Sequence, residues 1–549
     1  MADFLGVNSE AWIIILTAIV VVETLVLIVL TIKPPKKGSM DPTVARLFTV
    51  LEKVIEVPTF LDPKRLTFLP PQDMNKFEEI ANFIEQRKSF FNLELMIKLG
   101  NVEYGRGNLG GALTYFTETL EQAESIKDWR TSSICLGNIG MIYGIRGDPN
   151  TSLDFNMRAL KMSREIGYKQ GESENLGKIG QVYSDKGELD SALRYYEEAL
   201  EIDKEIGFKQ GEADHLNSIG SVHLDRGELD TALERYEEAL RIDKEIEYEQ
   251  GMAIDLRSIG SVYDDKGDFD TALDYYEEAL RIDREMGYKK GEASDLGNIG
   301  LIYYDKGDFD TALGYYNKAL EIDKKIGYRQ GEADDLGNIG LIYYDKGDFD
   351  TAMKYHEEAL RIDKDIEYKQ GEVLDLEYLA SVYLEKGNSP AALEFSERAL
   401  EVSKKIGYEQ GLVTGLCNIG KIHSKKGDFD IALKNHDEAL RISIESSYKE
   451  GIVDNMSAIG IIHGMKREFG NALEYCEKSL KICREVGYRR REAEILVNTA
   501  EIHRAKRDVE NALKYYEQAE SLFHVLNLMK RKRKINEAIE ELKKQTEKP

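Results

Sequence analysis

A stride of forty residues governs this chain. Gly331–Gln370 reads GEADDLGNIGLIYYDKGDFDTAMKYHEEALRIDKDIEYKQ, and it overlays Gly291–Gln330 and then Gly251–Lys290 when moved upstream forty positions at a time. The same stride puts glycine at 140, 180, 220, 260, 300, 340, 420 and 460, and alanine at nine positions from Ala192 to Ala512. A constant period of this length specifies stacked units that bury their apolar faces on one another, not one closed core. The 549-residue length therefore carries no message about domain number.

Each unit has room for two helices. The first is expected from about Glu332 to Lys346, with Leu336, Ile339, Gly340, Ile342 and Tyr343 at helical spacing. Gly347 supplies a left-handed stop, Asp348 a cap for the second helix, and Asp350 a negative charge in its first turn. That helix gathers Phe349, Ala352, Met353, His356, Ala359, Leu360 and Ile362 on one side, with Glu357, Glu358, Arg361 and Lys364 opposite. It closes with Ile-Gly-Tyr, as at Ile326, Gly327 and Tyr328, the pattern of a Schellman stop. Glu247, Glu367 and Ser447 replace that glycine in three copies. If they keep a left-handed backbone, each costs on the order of 1 kcal/mol.

Leu336, Ile339, Gly340, Tyr343, Ala352, His356 and Ala359 fall at the signature spacings of the tetratricopeptide repeat. The chain resembles that family over about residues 91–526, as eleven units. The lengthened unit, with Gly337-Asn338-Ile339-Gly340 and no proline after the second helix, is similar to the repeats of kinesin light chains and of polarity adaptors with Gly-Asn-Leu-Gly repeats. The resemblance implies an all-α fold: a right-handed α-α superhelical solenoid of about eleven helix–turn–helix units.

Ahead of the repeats, Ala11–Ile32 reads as a transmembrane helix. Fifteen of its 22 residues are Leu, Ile or Val and its one charge is Glu23, which is short of what would prevent insertion. Lys33, Lys36 and Lys37 follow the span, so the positive-inside rule makes residues 1–10 a short extracytoplasmic end and puts the solenoid in the cytoplasm. Glu23 is either a neutral carboxyl tolerated in an apolar helix or a polar contact for self-association through that helix. Residues 33–90 carry seven of the ten prolines and form a neck with capping helices. Residues 527–549 hold the basic run Lys530–Lys534 and an amphipathic capping helix through Ile535, Ala538, Ile539 and Leu542.

No enzymatic constellation survives inspection. There is no phosphate-binding glycine loop and no His-Glu-x-x-His. His223, His423, His463 and His503 alternate with tyrosine at one repeat slot, and His356 and His436 at another, which marks packing aromatics rather than metal ligands. The acidic turns lack calcium-loop spacing, the four cysteines form no pair motif, and no cofactor is implied. A net charge of -26 excludes nucleic acid as the main partner.

What remains is a surface. The slots equivalent to 334, 337, 338, 341, 344 and 345 share one side of each first helix, and the family resemblance implies that they line an inner groove. Asn138, Asn298, Asn338, Asn418 and Asn498 recur there, with amides able to bond an extended peptide backbone. Asp185, Asp225, Asp265, Asp305, Asp345 and Glu385 occupy one slot in six successive units, and Leu301, Leu341, Tyr304 and Tyr344 add an apolar and aromatic patch. These features fit protein or peptide segments bearing Lys or Arg and apolar anchors. A chaperone-tail carboxylate does not fit, because most copies put glycine or a neutral residue where other members carry the lysines and arginines that clamp it. The reading is a non-enzymatic, single-pass membrane scaffold or adaptor. The alternative is a sensor arm that binds a peptide or small ligand and signals to a partner.

Overall fold

The computed structural model describes residues 93–105, 107–526 and 528–546. The expected membrane span at 11–32 with Glu23, residues 1–10 and the neck at 33–90 lie outside the described residues. Among those described, no helix is long and apolar enough to cross a membrane. Eleven helix pairs follow one another, from Leu93–Gly105 with Leu109–Ile126 to Arg489–Ala505 with Val509–Val525, and the single helix Met529–Thr546 closes the array. The described residues contain no strand.

The turn chemistry explains the two-residue connections. Gly347 has φ 79°, and the Asp348 carboxylate accepts a hydrogen bond from the Thr351 N–H at 3.2 Å. Gly327 has φ 72°, and the Tyr328 N–H bonds the Asp323 carbonyl at 2.9 Å, the long bond of a Schellman stop. The next helix starts at Arg329, three residues before the expected Glu332. Gly331 lies inside the helix, where a methyl group would collide with the Asp323 carboxylate. Glu247, Glu367 and Ser447 do take left-handed backbone, with φ of 55°, 59° and 59°. For Glu367 there is an offset: its carboxylate meets Arg146 Nε at 2.7 Å.

Within a unit, the two helices close on a glycine. A methyl on Gly260 would lie 2.7 Å from the Tyr276 ring, and one on Gly340 2.7 Å from the His356 ring. Aromatic pairs stack beside this contact, Tyr263 on Tyr275 at 5.6 Å and Tyr303 on Tyr315 at 5.5 Å. Each first helix touches the first helix of the next unit, whereas successive second helices make at most slight contact. First helices therefore form the inner, tighter wall of the coil.

The coil is wound tightly enough that its turns touch. A methyl on Gly147 would lie 2.5 Å from Ile406 and 2.9 Å from Lys369. Gly187 meets Glu409, Gly227 meets Lys449 and Val486, and Gly267 meets Arg489 and Leu526 in the same manner. Lys369, Glu409, Lys449 and Arg489 each stand 222 positions beyond their glycine, so one superhelical turn takes about six units. One apolar cluster runs across this seam, joining Leu229–Ile302 to Val453–Leu542. Among the described residues, nothing lies within 4 Å of a methyl built on Gly347, Gly387 or Gly427.

Candidate binding groove

The inner wall brings the recurring asparagines to one side, but not in one state. Asn138 accepts a bond from Lys178 Nζ at 3.1 Å, and Asn498 donates to the Ser457 hydroxyl at 3.1 Å. Among the described residues Asn298, Asn338 and Asn418 have no side-chain partner; the first two are half-buried and Asn418 is buried. Leu301 is 37% exposed and Leu341 half-buried beside them. The Tyr304 hydroxyl donates to Asp345 at 2.9 Å while its ring leans on Phe309, and Tyr344 meets Phe349 edge-on at 5.7 Å.

The acidic stripe divides between the groove and the seam. Asp305 is ion-paired with Arg490 from the following superhelical turn. Burial, with Glu450 of that turn close by, pushes Asp225 up to about 6 and Asp265 up to about 7. Asp185, Asp345 and Glu385 remain exposed; Asp185 accepts from the Gln181 amide at 2.8 Å and Glu385 from Lys425 at 2.6 Å. The stripe is thus partly engaged by the chain's own groups. Sequence reasoning placed all six acids on one helix side and could not see the next turn arriving over them.

Toward the C-terminal end the groove deepens into two cavities that share Lys421, His436, Ala458 and Ile461. One, of about 300 Å³, is lined also by Tyr344, Ser381, Glu385 and Asn418; the other, of about 370 Å³, by Cys417, Asp454, Arg491 and Asn498. The histidines behave as packing rings: His463 stacks on Tyr475 at 5.8 Å and His503 on Tyr515 at 5.3 Å. No metal-holding group of His, Cys, Asp and Glu exists among the described residues. Burial raises the thiols of Cys135, Cys417 and Cys483 to about 12 and Cys476 to about 11, which leaves them protonated and unreactive.

A feature missed in sequence lies beneath the groove. Asp243, Asp283, Asp323 and Asp363 on second helices face Asp255, Asp295, Asp335 and Asp375 on the next first helices, and all eight are buried. Desolvation and the neighbouring carboxyl push Asp335 up to about 9 and Asp363 up to about 8. Desolvation leads at Asp323 and Asp375 too, raised to about 7 and about 8. The signal was present as aspartate at two slots with the forty-residue stride, but acids on an amphipathic helix are ordinarily read as solvated.

The Tetratricopeptide repeat model matches residues 92–165, 137–205, 172–245, 211–285, 293–365, 372–445 and 453–523, and a second Tetratricopeptide repeat model matches 257–325. The chain belongs to the tetratricopeptide repeat family. No curated protein matches it. Among solved structures, BtubC (BKLC) from P. vanneervenii is 23% identical over 39% of this chain and 91% of its own, with TM-score 0.34. Yeast Tom70 is 15% identical over 83% and 96%, TM-score 0.42. A Rap protein complexed with competence and sporulation factor is 14% identical over 65% and 99%, TM-score 0.45. The tetratricopeptide repeat solenoid is a fold suited to protein–protein interaction, and no enzyme family is indicated.

Proposed function

We propose that this tetratricopeptide repeat protein is a membrane-anchored scaffold that holds extended segments of partner proteins along the inner wall of its solenoid. One observation carries the reading. The inner wall presents amides at Asn298, Asn338 and Asn418 that no other described side chain engages, next to Leu301, Leu341 and Tyr344, a mixture that bonds a peptide backbone and seats its apolar side chains. The exposed acids Asp345 and Glu385 favour a cationic segment. The apolar run Ala11–Ile32 supports the anchor, and the lysines after it support a cytoplasmic solenoid.

Photo-crosslinking in the native membrane tests this. A benzophenone side chain at Asn338 is expected to give protein adducts that the same group at the exposed, second-helix position Glu357 does not. Equal labelling at both positions, or none at Asn338, overturns the groove reading. Alkaline extraction that releases the full chain from membranes overturns the anchor.

A further inference from the structure

The slot equivalent to Gly337 lies directly above the buried carboxyl pairs, and its filling differs from unit to unit. The space at Gly137 is taken by Asn175 and Lys178, and that at Gly177 by His215. Asn217 reaches Asp255 Oδ1 at 2.7 Å. Arg257 spans a whole pair, with Nε 2.6 Å from Asp295 and Nη2 2.9 Å from Asp283. At Gly297 and Gly337 none of the described side chains fills the slot. A methyl built on Gly297 would have one neighbour within 4 Å, Asp335 Oδ1 at 3.9 Å, and one on Gly337 only Asp375 Oδ1 at 3.8 Å.

The carboxyls under these gaps lack what Arg257 supplies one unit earlier. Among the described residues no hydrogen bond or ion pair reaches the carboxyl of Asp323, Asp335 or Asp363, whereas Arg257 engages Asp283 Oδ2 and Asp295 Oδ1 and leaves only their other oxygens, Oδ1 and Oδ2, unmatched. An unmatched buried polar atom is costly, and a charge-assisted partner relieves that cost. The chain's own nearby cation, Lys290, is held 4.0 Å over the Tyr328 ring and forms no ion pair with either acid. His356 Nδ1 lies 3.2 Å from Asp375, but burial pushes that imidazole down to about 4, so it brings no charge. Both glycines are half-exposed, each next to an unpartnered asparagine.

We propose that the gaps at Gly297 and Gly337 are two sockets for arginine side chains of a partner segment, which dock on Asp323 with Asp335 and on Asp363 with Asp375 as Arg257 docks on Asp283 with Asp295. A guanidinium matches such a pair because its planar fork donates to two carboxylates at once, which a lysine ammonium cannot do in the same geometry. Neighbouring first helices pack about 10 Å apart, which three residues of extended chain span, so the two arginines stand about three positions apart. The proposal rests on the groove reading insofar as a partner segment delivers these side chains.

The probe is N-acetyl-arginine amide, with the citrulline analogue as its neutral isostere, added to the full-length chain in detergent. Arginine amide raises the melting temperature and citrulline amide does not, and Asp335→Asn with Asp375→Asn reduces the affinity about tenfold or more. Gly297→Arg supplies the missing cation from within: it raises the melting temperature above that of Gly297→Gln, which matches it in helix propensity. Equal protection by both probes, or Gly297→Arg no more stable than Gly297→Gln, overturns the sockets. Peptide adducts at Asn338 that ignore arginine content leave the groove standing and remove the sockets. Arginine protection without any peptide adduct does the reverse.

Discussion

Gly147→Ala is expected to destabilise the solenoid by about 2–4 kcal/mol, and Gly387→Ala by only about 1 kcal/mol. The two glycines are alike in their own unit: both end a first helix, with φ of 73° and 78°. Alanine therefore meets the same backbone strain at each. They differ in what lies beyond. A methyl at 147 enters the Ile406 side chain of the next superhelical turn, and one at 387 meets nothing. The excess at 147 is the cost of overpacking the seam, which chemical denaturation of the two variants measures side by side. Equal losses would mean that strain alone decides, with no contact between turns. An intact seam also couples units six apart, so unfolding should be more cooperative than nearest-neighbour stacking provides.

Lowering the pH from 9 to about 5.5 is expected to raise the melting temperature, opposite to the usual behaviour of surface carboxylates. Asp323, Asp335, Asp363 and Asp375 have folded-state values raised to about 7–9, against an ordinary 3.8. Groups raised in this direction contribute fully below the unfolded value near pH 4, and the contribution is lost as pH climbs through the folded values. Each can move stability by as much as about 1.4 kcal/mol per pH unit inside that window. Asp335 feels Asp323 and Asp334, while Asp323 feels Lys290 in the lowering sense and Asp334 and Glu332 in the raising sense. Lys290, lowered by burial, and His356 beside Asp375, lowered to about 4, titrate in the opposite sense, and the four raised carboxyls outweigh them. Asp335→Asn keeps the shape and removes the titration, so its stabilisation should be larger at pH 8 than at pH 5, by up to about 4 kcal/mol over the three pH units. A pH-independent effect of the substitution would show that this carboxyl is solvated in the folded protein.

The stride, the helix pairs and the left-handed stops could be read from residues because all of them are local. Gly347 and Asp348 announce a turn whatever surrounds them, and Ala352 with His356 announces a buried face. The misjudged helix start at Arg329 has a non-local cause, since Gly331 is there to clear the Asp323 carboxylate from the preceding helix. The acidic stripe was legible as a stripe. Its pairing of Asp305 with Arg490 was not, because those residues meet only after a full superhelical turn. For the same reason Gly297 and Gly337 looked like neutral groove positions, and only Arg257 in the neighbouring unit reveals what their emptiness exposes.

Contact between successive turns of the coil is most directly measured by a disulfide across the seam. A Cβ built on Gly227 lies 3.3 Å from Lys449 Cβ, close to disulfide separation, although the two stand 222 positions apart. In dilute full-length Gly227→Cys, Lys449→Cys protein, mild oxidation should join the two thiols within one molecule, seen by mass spectrometry of the linked peptides and by reduction-sensitive gel mobility. Free thiols at both positions in the folded protein, under conditions that oxidise neighbouring cysteines placed within a single unit, would show an open coil whose turns never meet.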